Sequence, residues 1–211
     1  MKILFFGDSI TDALREKNPT PYNSKFGTGF VMQIAGRLFE RNPVEYEIIN
    51  TGISGHRVVD LYARIKKDAW NYEPDMINIL IGVNDVWHEI NYKNGVELDR
   101  FEKVYRMLIE DTKKALPNTK IIINEPFVLK GSATEERFEE FLEVYKYAEV
   151  TNRLAKEYGL YYLPLQKAFD EAAEKYGADT FLRDGVHPTV QGAALIASEW
   201  IKLFDKIQGE A

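Results

Sequence analysis

Phe5-Phe6-Gly7-Asp8-Ser9-Ile10-Thr11-Asp12 follows a short apolar run, Ile3 to Phe6, that begins almost at the first residue. The run reads as a buried strand. A strand rich in Ile, Leu and Phe that stops abruptly in Gly-Asp-Ser is how an open α/β sheet delivers a reactive side chain to its carboxyl edge, where such sheets bind ligands. Ser9 is therefore the first candidate for chemistry. The same residues also suit a plain strand-to-loop turn, in which Gly7 supplies backbone freedom and Asp8 and Ser9 bond locally to main chain. The far end of the chain separates the two readings: in Asp184-Gly185-Val186-His187-Pro188 a His follows an Asp by three residues.

Outward from Ser9 the pattern alternates. A polar passage from Arg15 to Gly29, with Pro19, Pro21, Gly27 and Gly29, is too long for a tight turn and lies where it can shape a site. Val31, Ile34, Ala35 and Leu38 keep helical spacing, and Val44 to Asn50 reads as a second strand ending in Asn50-Thr51-Gly52-Ile53-Ser54-Gly55. Val58, Leu61, Tyr62 and Ile65 form a helix stripe. Met76 to Ile81 is a third strand, apolar enough to be buried on both faces, and Gly82-Val83-Asn84-Asp85 closes it. Phe101, Val104, Tyr105 and Leu108 mark a helix that stops before Pro117, and Lys120 to Ile123 is strand four. Phe138, Phe141, Leu142 and Tyr145 suit one long helix, Leu160 to Leu163 is strand five, and a helix from about Pro164 to Tyr176 leads to the Asp184 loop. Val190, Ala193, Ala194, Ala197, Trp200, Ile201 and Phe204 make a final amphipathic helix. Strands and helices alternating at this spacing imply right-handed crossovers and a parallel sheet covered on both faces. The expected fold is α/β, a single-domain three-layer α/β/α sandwich over 1–211 with about five parallel strands. Ser9, Gly52 and Asn84 then fall along one sheet edge.

The 211 residues suit one domain, and 45% hydrophobic with 28% charged residues is an ordinary globular composition. The formal charge is −6, with acidic residues spread along the chain, so no nucleic-acid surface is expected. With no cysteine, disulfides, thiolate metal sites and cysteine nucleophiles are excluded. No apolar run approaches the roughly 20 residues of a membrane span, so no membrane partner is expected. Without the features of a secretory signal at the N-terminus, a cytoplasmic protein is the expectation. The oligomeric state is open, a homo-oligomer included.

A serine hydroxyl is a poor nucleophile until a base takes its proton, and the base needs an acceptor to hold its tautomer. His187 can be that base and Asp184 its partner, or Asp184 can be a turn residue before Gly185. His56 and His88, both placed in loops after strands, have no Asp three residues before them. Backbone N–H groups of Ser9 and Gly52 and the side-chain amide of Asn84 can supply donors for an oxyanion. Gly52 alone is equally a backbone device, and Asn84 alone can simply cap a helix.

Together these blocks resemble the SGNH hydrolases, also called GDSL esterases and lipases. The matching residues are Gly7-Asp8-Ser9-Ile10-Thr11, Gly52 within Asn50 to Gly55, Gly82-Val83-Asn84-Asp85, and Asp184-Gly185-Val186-His187-Pro188. The resemblance covers nearly the whole chain. It implies a flavodoxin-like sandwich, a triad of Ser9, His187 and Asp184, an oxyanion hole of Ser9, Gly52 and Asn84, and no metal or organic cofactor. The Gly-x-Ser-x-Gly elbow of α/β-hydrolases is absent around Ser9. Gly27-Thr28-Gly29-Phe30, Gly52-Ile53-Ser54-Gly55 and Gly82-Val83-Asn84-Asp85-Val86-Trp87 look like the branch of acetylxylan and xylo-oligosaccharide esterases. The resemblance therefore implies a small-molecule ester substrate, an acetylated sugar, with Asp8, Phe30 and Trp87 as substrate-binding residues. Two positions depart from that branch: Phe30 stands where a tyrosine is expected, and Arg183 stands before Asp184 where a tryptophan is expected.

Three rivals remain. Asp8, Asp12 and Asp85 near one sheet edge can suit Mg²⁺-dependent phosphoryl hydrolysis, which leaves Asp184 and His187 unused. The second is a lysophospholipase or thioesterase type of acyl hydrolase on the same fold, and the third a non-catalytic flavodoxin-like binding module.

Overall fold

The computed structural model describes residues 1–18 and 24–210. Ile3, Leu4, Phe5 and Phe6 are consecutive and all buried, as only a strand covered on both faces allows, and they form the middle of β1 (Lys2–Gly7). Strands β2 (Glu47–Asn50), β3 (Met76–Leu80), β4 (Lys120–Asn124) and β5 (Tyr161–Leu163) join it in one sheet of order β2-β1-β3-β4-β5. Every pairing is parallel, with Leu4 opposite Ile49 and Ile77, and Ile77 opposite Ile121. The result is the expected three-layer α/β/α sandwich of five parallel strands. In this order the chain reverses its direction of travel between β1 and β3, so the loops after those two strands open a crevice at the carboxyl edge.

On one face lie α2 (Phe30–Arg41), α8 (Gln166–Tyr176) and α9 (Val190–Gly209). There Phe5 meets Phe30 edge-on at 5.8 Å and Trp200 at 5.6 Å, and Trp200 stacks on Phe204 at 5.0 Å. Trp200 keeps its indole N–H satisfied by donating to Asn78 Oδ1 of β3 at 2.9 Å. The other face carries α3 (Val58–Asp68), α5 (Leu98–Ala115) and α7 (Glu143–Glu157), with Phe101 against Tyr105 and Tyr147. Each buried aromatic or branched aliphatic side chain contributes about 1.5–3 kcal/mol relative to an exposed one.

Several element boundaries differ from the sequence reading. β2 starts at Glu47, the partner of Lys2 where β1 begins, and not at Val44, which is 90% exposed and whose N–H turns back to Asn42 Oδ1 at 3.2 Å. The segment expected as one long helix is a short α6 (Phe138–Phe141) followed by α7, and Tyr145 faces outward while Val144, Tyr147 and Ala148 face the core. Val190 is also exposed; α9 is started instead by Thr189, whose Oγ1 accepts from Gly192 N at 3.1 Å. The helix that Asn84 can cap is α4 (Val83–Tyr92), which already includes Asn84; it buries Val83, Val86 and Ile90 at helical spacing and carries His88, which is therefore not on a loop. Pro19 and Pro21 of the long polar passage lie outside the described residues. Among the described residues no helix is long and apolar enough to cross a membrane.

Candidate active site

The turn after β1 is fixed by its own side chains. Asp8 Oδ1 accepts from Ile10 N at 2.9 Å and so caps a four-residue helix, α1 (Ser9–Asp12), which places Ser9 at its first position. A Cβ on Gly7 would lie 2.3 Å from Thr11 Oγ1 and 2.5 Å from Leu80 O, so only glycine lets the helix fold back on β3. Ala13 and Leu14 follow in left-handed backbone, φ 42° and 61°, an uncommon conformation for side-chain-bearing residues and one found beside functional sites.

At the other end of the chain, Ser9 Oγ lies 2.9 Å from His187 Nε2, and His187 Nδ1 lies 2.7 Å from Asp184 Oδ2. With the Nδ1 proton held by the carboxylate, Nε2 is left to accept the Ser9 proton. Asp184 Oδ1 accepts from the backbone N–H groups of Val186 and His187 at 3.0 and 2.7 Å. Partial burial opposes ionisation of Asp184, but the His187 ring and these two N–H groups outweigh it and hold the carboxyl down at about 2. The loop is clamped from behind. Leu129 N donates to Gly185 O at 2.9 Å, Ala133 N donates to Asp184 O at 3.1 Å, and a Cβ on Gly131 would meet Gly185 N at 2.3 Å. Gly131 and Thr134, which shape this buttress after β4, had no sequence signal beyond a Gly-Ser pair.

Asn84, on α4, lines the same pocket as Ser9 and His187. Its Nδ2 donates one N–H to His56 O at 3.0 Å, which orients the amide and leaves its second N–H for a ligand. Gly52 is placed differently from expectation. Its N–H donates to Asn50 Oδ1 at 2.9 Å, and it does not line the pocket. Its lack of a side chain is explained by packing, since a Cβ would sit 2.3 Å from Asp12 N. Ser9 N–H, at the open first turn of α1, has no acceptor among the described residues.

Arg64, which the sequence reading passed over as a polar helix position, binds these loops together. It donates to Gly7 O at 3.0 Å, Thr51 O at 2.6 Å and His56 Nδ1 at 3.0 Å, and it pairs with Asp68 at 3.1 Å. Burial, and next the Arg64 charge, lower the His56 pKa; burial likewise lowers that of His88, which lines the pocket but does not bond Ser9. Of the three histidines only His187 touches the Ser9 hydroxyl.

The three aspartates of the phosphoryl-hydrolase rival do not converge. Asp12 accepts from Ser54 Oγ at 2.8 Å and sits 3.7 Å from Arg15, while Asp85 accepts from Val58 N at 3.0 Å. No group of three or more His, Asp or Glu side chains among the described residues could share a metal ion. Asp8 is fully buried and lines neither pocket, so it cannot contact substrate as expected; burial pushes its carboxyl up to about 7, and Asp85 is also raised by burial.

Ser9 and His187 open into two adjoining compartments. The larger, of about 320 Å³, is walled by Asn84, Trp87, His88, Asn91 and Tyr92; the smaller, of about 70 Å³, is walled by Ile10, Thr28 and Phe30. The Trp87 ring lies 5.8 Å from the His187 ring. Because His187 is the group placed to take the Ser9 proton, His187→Ala is expected to lower turnover by about 10³-fold or more, far more than His88→Ala. Steady-state kinetics of the two variants check this, and retention of activity in His187→Ala with loss in His88→Ala would contradict it.

Known proteins resemble this chain over nearly its whole length. The model of the GDSL-like Lipase/Acylhydrolase family matches residues 5–195, which include Ser9, Asn84, Asp184 and His187. The chain is 32% identical over 208 residues to an acetylxylan esterase of Geobacillus stearothermophilus, covering 95% of this chain and 92% of that protein. The crystal structure of that organism's acetylxylan esterase Axe2 superimposes with a TM-score of 0.85 at 32% identity, covering 96% of this chain and 93% of Axe2. A GDSL-like protein from Parabacteroides merdae superimposes with a TM-score of 0.90 at 36% identity, covering 96% and 94% of the two chains. Since the matched region begins in β1 and ends in α9, it takes in the sheet, the crevice and both halves of the Ser9–His187 pair, and the chain belongs to the GDSL-like lipase and acylhydrolase family.

Proposed function

We propose that the protein is a serine esterase that removes short acyl groups, acetyl above all, from soluble carbohydrates through an acyl-enzyme. Ser9 Oγ attacks the ester carbonyl carbon while His187 Nε2 takes the hydroxyl proton and Asp184 steadies the resulting imidazolium. The oxyanion is received by Ser9 N–H and the free N–H of Asn84. Collapse of the tetrahedral intermediate breaks the bond to the alcohol oxygen, which leaves with the proton from His187. Water, deprotonated by His187, then attacks the acyl-enzyme, and Ser9 departs with its proton restored.

The observation that carries the mechanism is the unbroken chain from Ser9 to His187 to Asp184, at 2.9 and 2.7 Å, opening on the crevice. The acyl preference rests on the small compartment against Phe30, whose roughly 70 Å³ suits an acetyl group and not a long chain. In this reading Phe30 bounds the acyl group, and the sugar lies in the larger compartment against Trp87. Native protein is expected to prefer acetyl over butyryl and octanoyl esters in kcat/KM, and Trp87→Ala is expected to lose about tenfold or more on acetylated xylose derivatives, as loss of an aromatic platform entails. A preference for octanoyl esters would instead favour the lysophospholipase or thioesterase reading, for which Leu14, 82% exposed at the rim, offers an apolar contact.

A further inference from the structure

The chain has ten arginines, and eight of them come within 4.0 Å of a carboxylate. Arg37 and Arg183 do not, among the described residues. Arg37 lies on α2 and lines neither compartment, whereas Arg183 lines both, beside Ser9 and His187. The stretch 19–23, Pro-Thr-Pro-Tyr-Asn, contains no acidic residue to pair with it. The Arg183 backbone is fixed: its N–H donates to His187 O at 3.0 Å, inside the bridge between Leu182 and Pro188. In a chain of net charge −6, an exposed guanidinium is thus held at the mouth of the site, and among the described residues none of its five N–H donors is engaged.

We propose that Arg183 is an anion subsite, and that the esters this protein hydrolyses carry a negatively charged group, a carboxylate or a phosphate, on the alcohol portion. This rests on the esterase reading above and narrows its substrate class to acidic or phosphorylated sugars. A guanidinium offers two parallel N–H donors to either anion, and such charge-assisted pairs are stronger than the bonds it makes to neutral hydroxyls. Because the guanidinium is exposed at the mouth, salt screens the pair, and the preference it confers falls as ionic strength rises. The reaction at Ser9 is unchanged, since Arg183 binds a part of the substrate that neither gains nor loses a bond.

The test uses pairs of esters that differ only in charge. The first pair is an acetylated glucuronoxylo-oligosaccharide with its carboxylate free or methyl-esterified, and the second is an acetylated xylose with or without a phosphate. The third is 4-acetoxybenzoate against its methyl ester, each rate divided by the hydroxide-catalysed rate. Native protein at low ionic strength is expected to favour the charged member by about tenfold in kcat/KM, less in high salt. Arg183→Gln should bring that ratio close to one, and Arg183→Lys should retain part of it. A ratio near one for native protein in all three pairs, or a preference that survives Arg183→Gln, overturns the proposal. The larger of the first two ratios identifies the anion. Because the aryl pair reads Arg183 even if no sugar ester is turned over, failure of the carbohydrate reading and failure of the subsite are distinguishable.

Discussion

Ser9→Ala is expected to lower esterase kcat by about 10⁴ to 10⁶ while leaving the fold intact, the scale on which serine nucleophiles act in other hydrolases. The substitution removes a single oxygen whose partner in the structure is His187 Nε2. The cap of α1 belongs to Asp8, and Gly7 still allows the close approach to β3, so the local backbone keeps its supports. The change in stability should therefore stay within about 1 kcal/mol, the net worth of one hydrogen bond. Steady-state kinetics alongside denaturant unfolding separate the two effects. Turnover within tenfold of native would place the chemistry elsewhere.

Asn84→Ala should cost about 10² to 10³ in kcat, because it deletes a preorganised donor to charge that exists only after attack. The effect should fall on kcat more than on KM, since the ground-state carbonyl makes weaker use of the donor. Asn84 is the second residue of α4, where alanine is a good helix former, and the His56 carbonyl it releases belongs to a partly exposed residue that water can reach. A near-normal kcat would mean that the amide serves only to tie α4 to the loop at His56. Since Gly52 N–H is engaged by Asn50 Oδ1, Asn84 and Ser9 N–H carry the oxyanion in this account, which is why so large an effect is expected from one amide.

The sheet was legible because parallel strands covered on both faces must be continuously apolar, and Ile3–Phe6, Met76–Ile81 and Lys120–Ile123 allow almost no other reading. The meeting of Ser9 with His187 was legible because each lies near an Asp in a segment that a sheet edge brings together. What escaped was built from backbone partners far apart in sequence. Arg64 gathers the carbonyls of Gly7 and Thr51 with the ring of His56, and nothing in the side chains of residues 7 or 51 announces such an acceptor. Gly131 is needed for a close approach to Gly185, 54 positions later, that no local pattern encodes. Asp8 and Asp85 look like surface acids in a list of residues, yet the loops fold over them, and their burial removes both from contact with substrate. α4 was legible only as a helix that Asn84 can cap: Gly82 before it reads as a loop residue, and the helix starts immediately after it, with Asn84 inside its first turn.

Whether Ser9 carries the acyl group is read from intact-protein mass after treatment with a serine-directed phosphonate. The native chain should gain one adduct, mapped to the peptide containing Ser9, with loss of activity in proportion, and Ser9→Ala should gain none. An adduct of the same stoichiometry on Ser9→Ala would contradict the account.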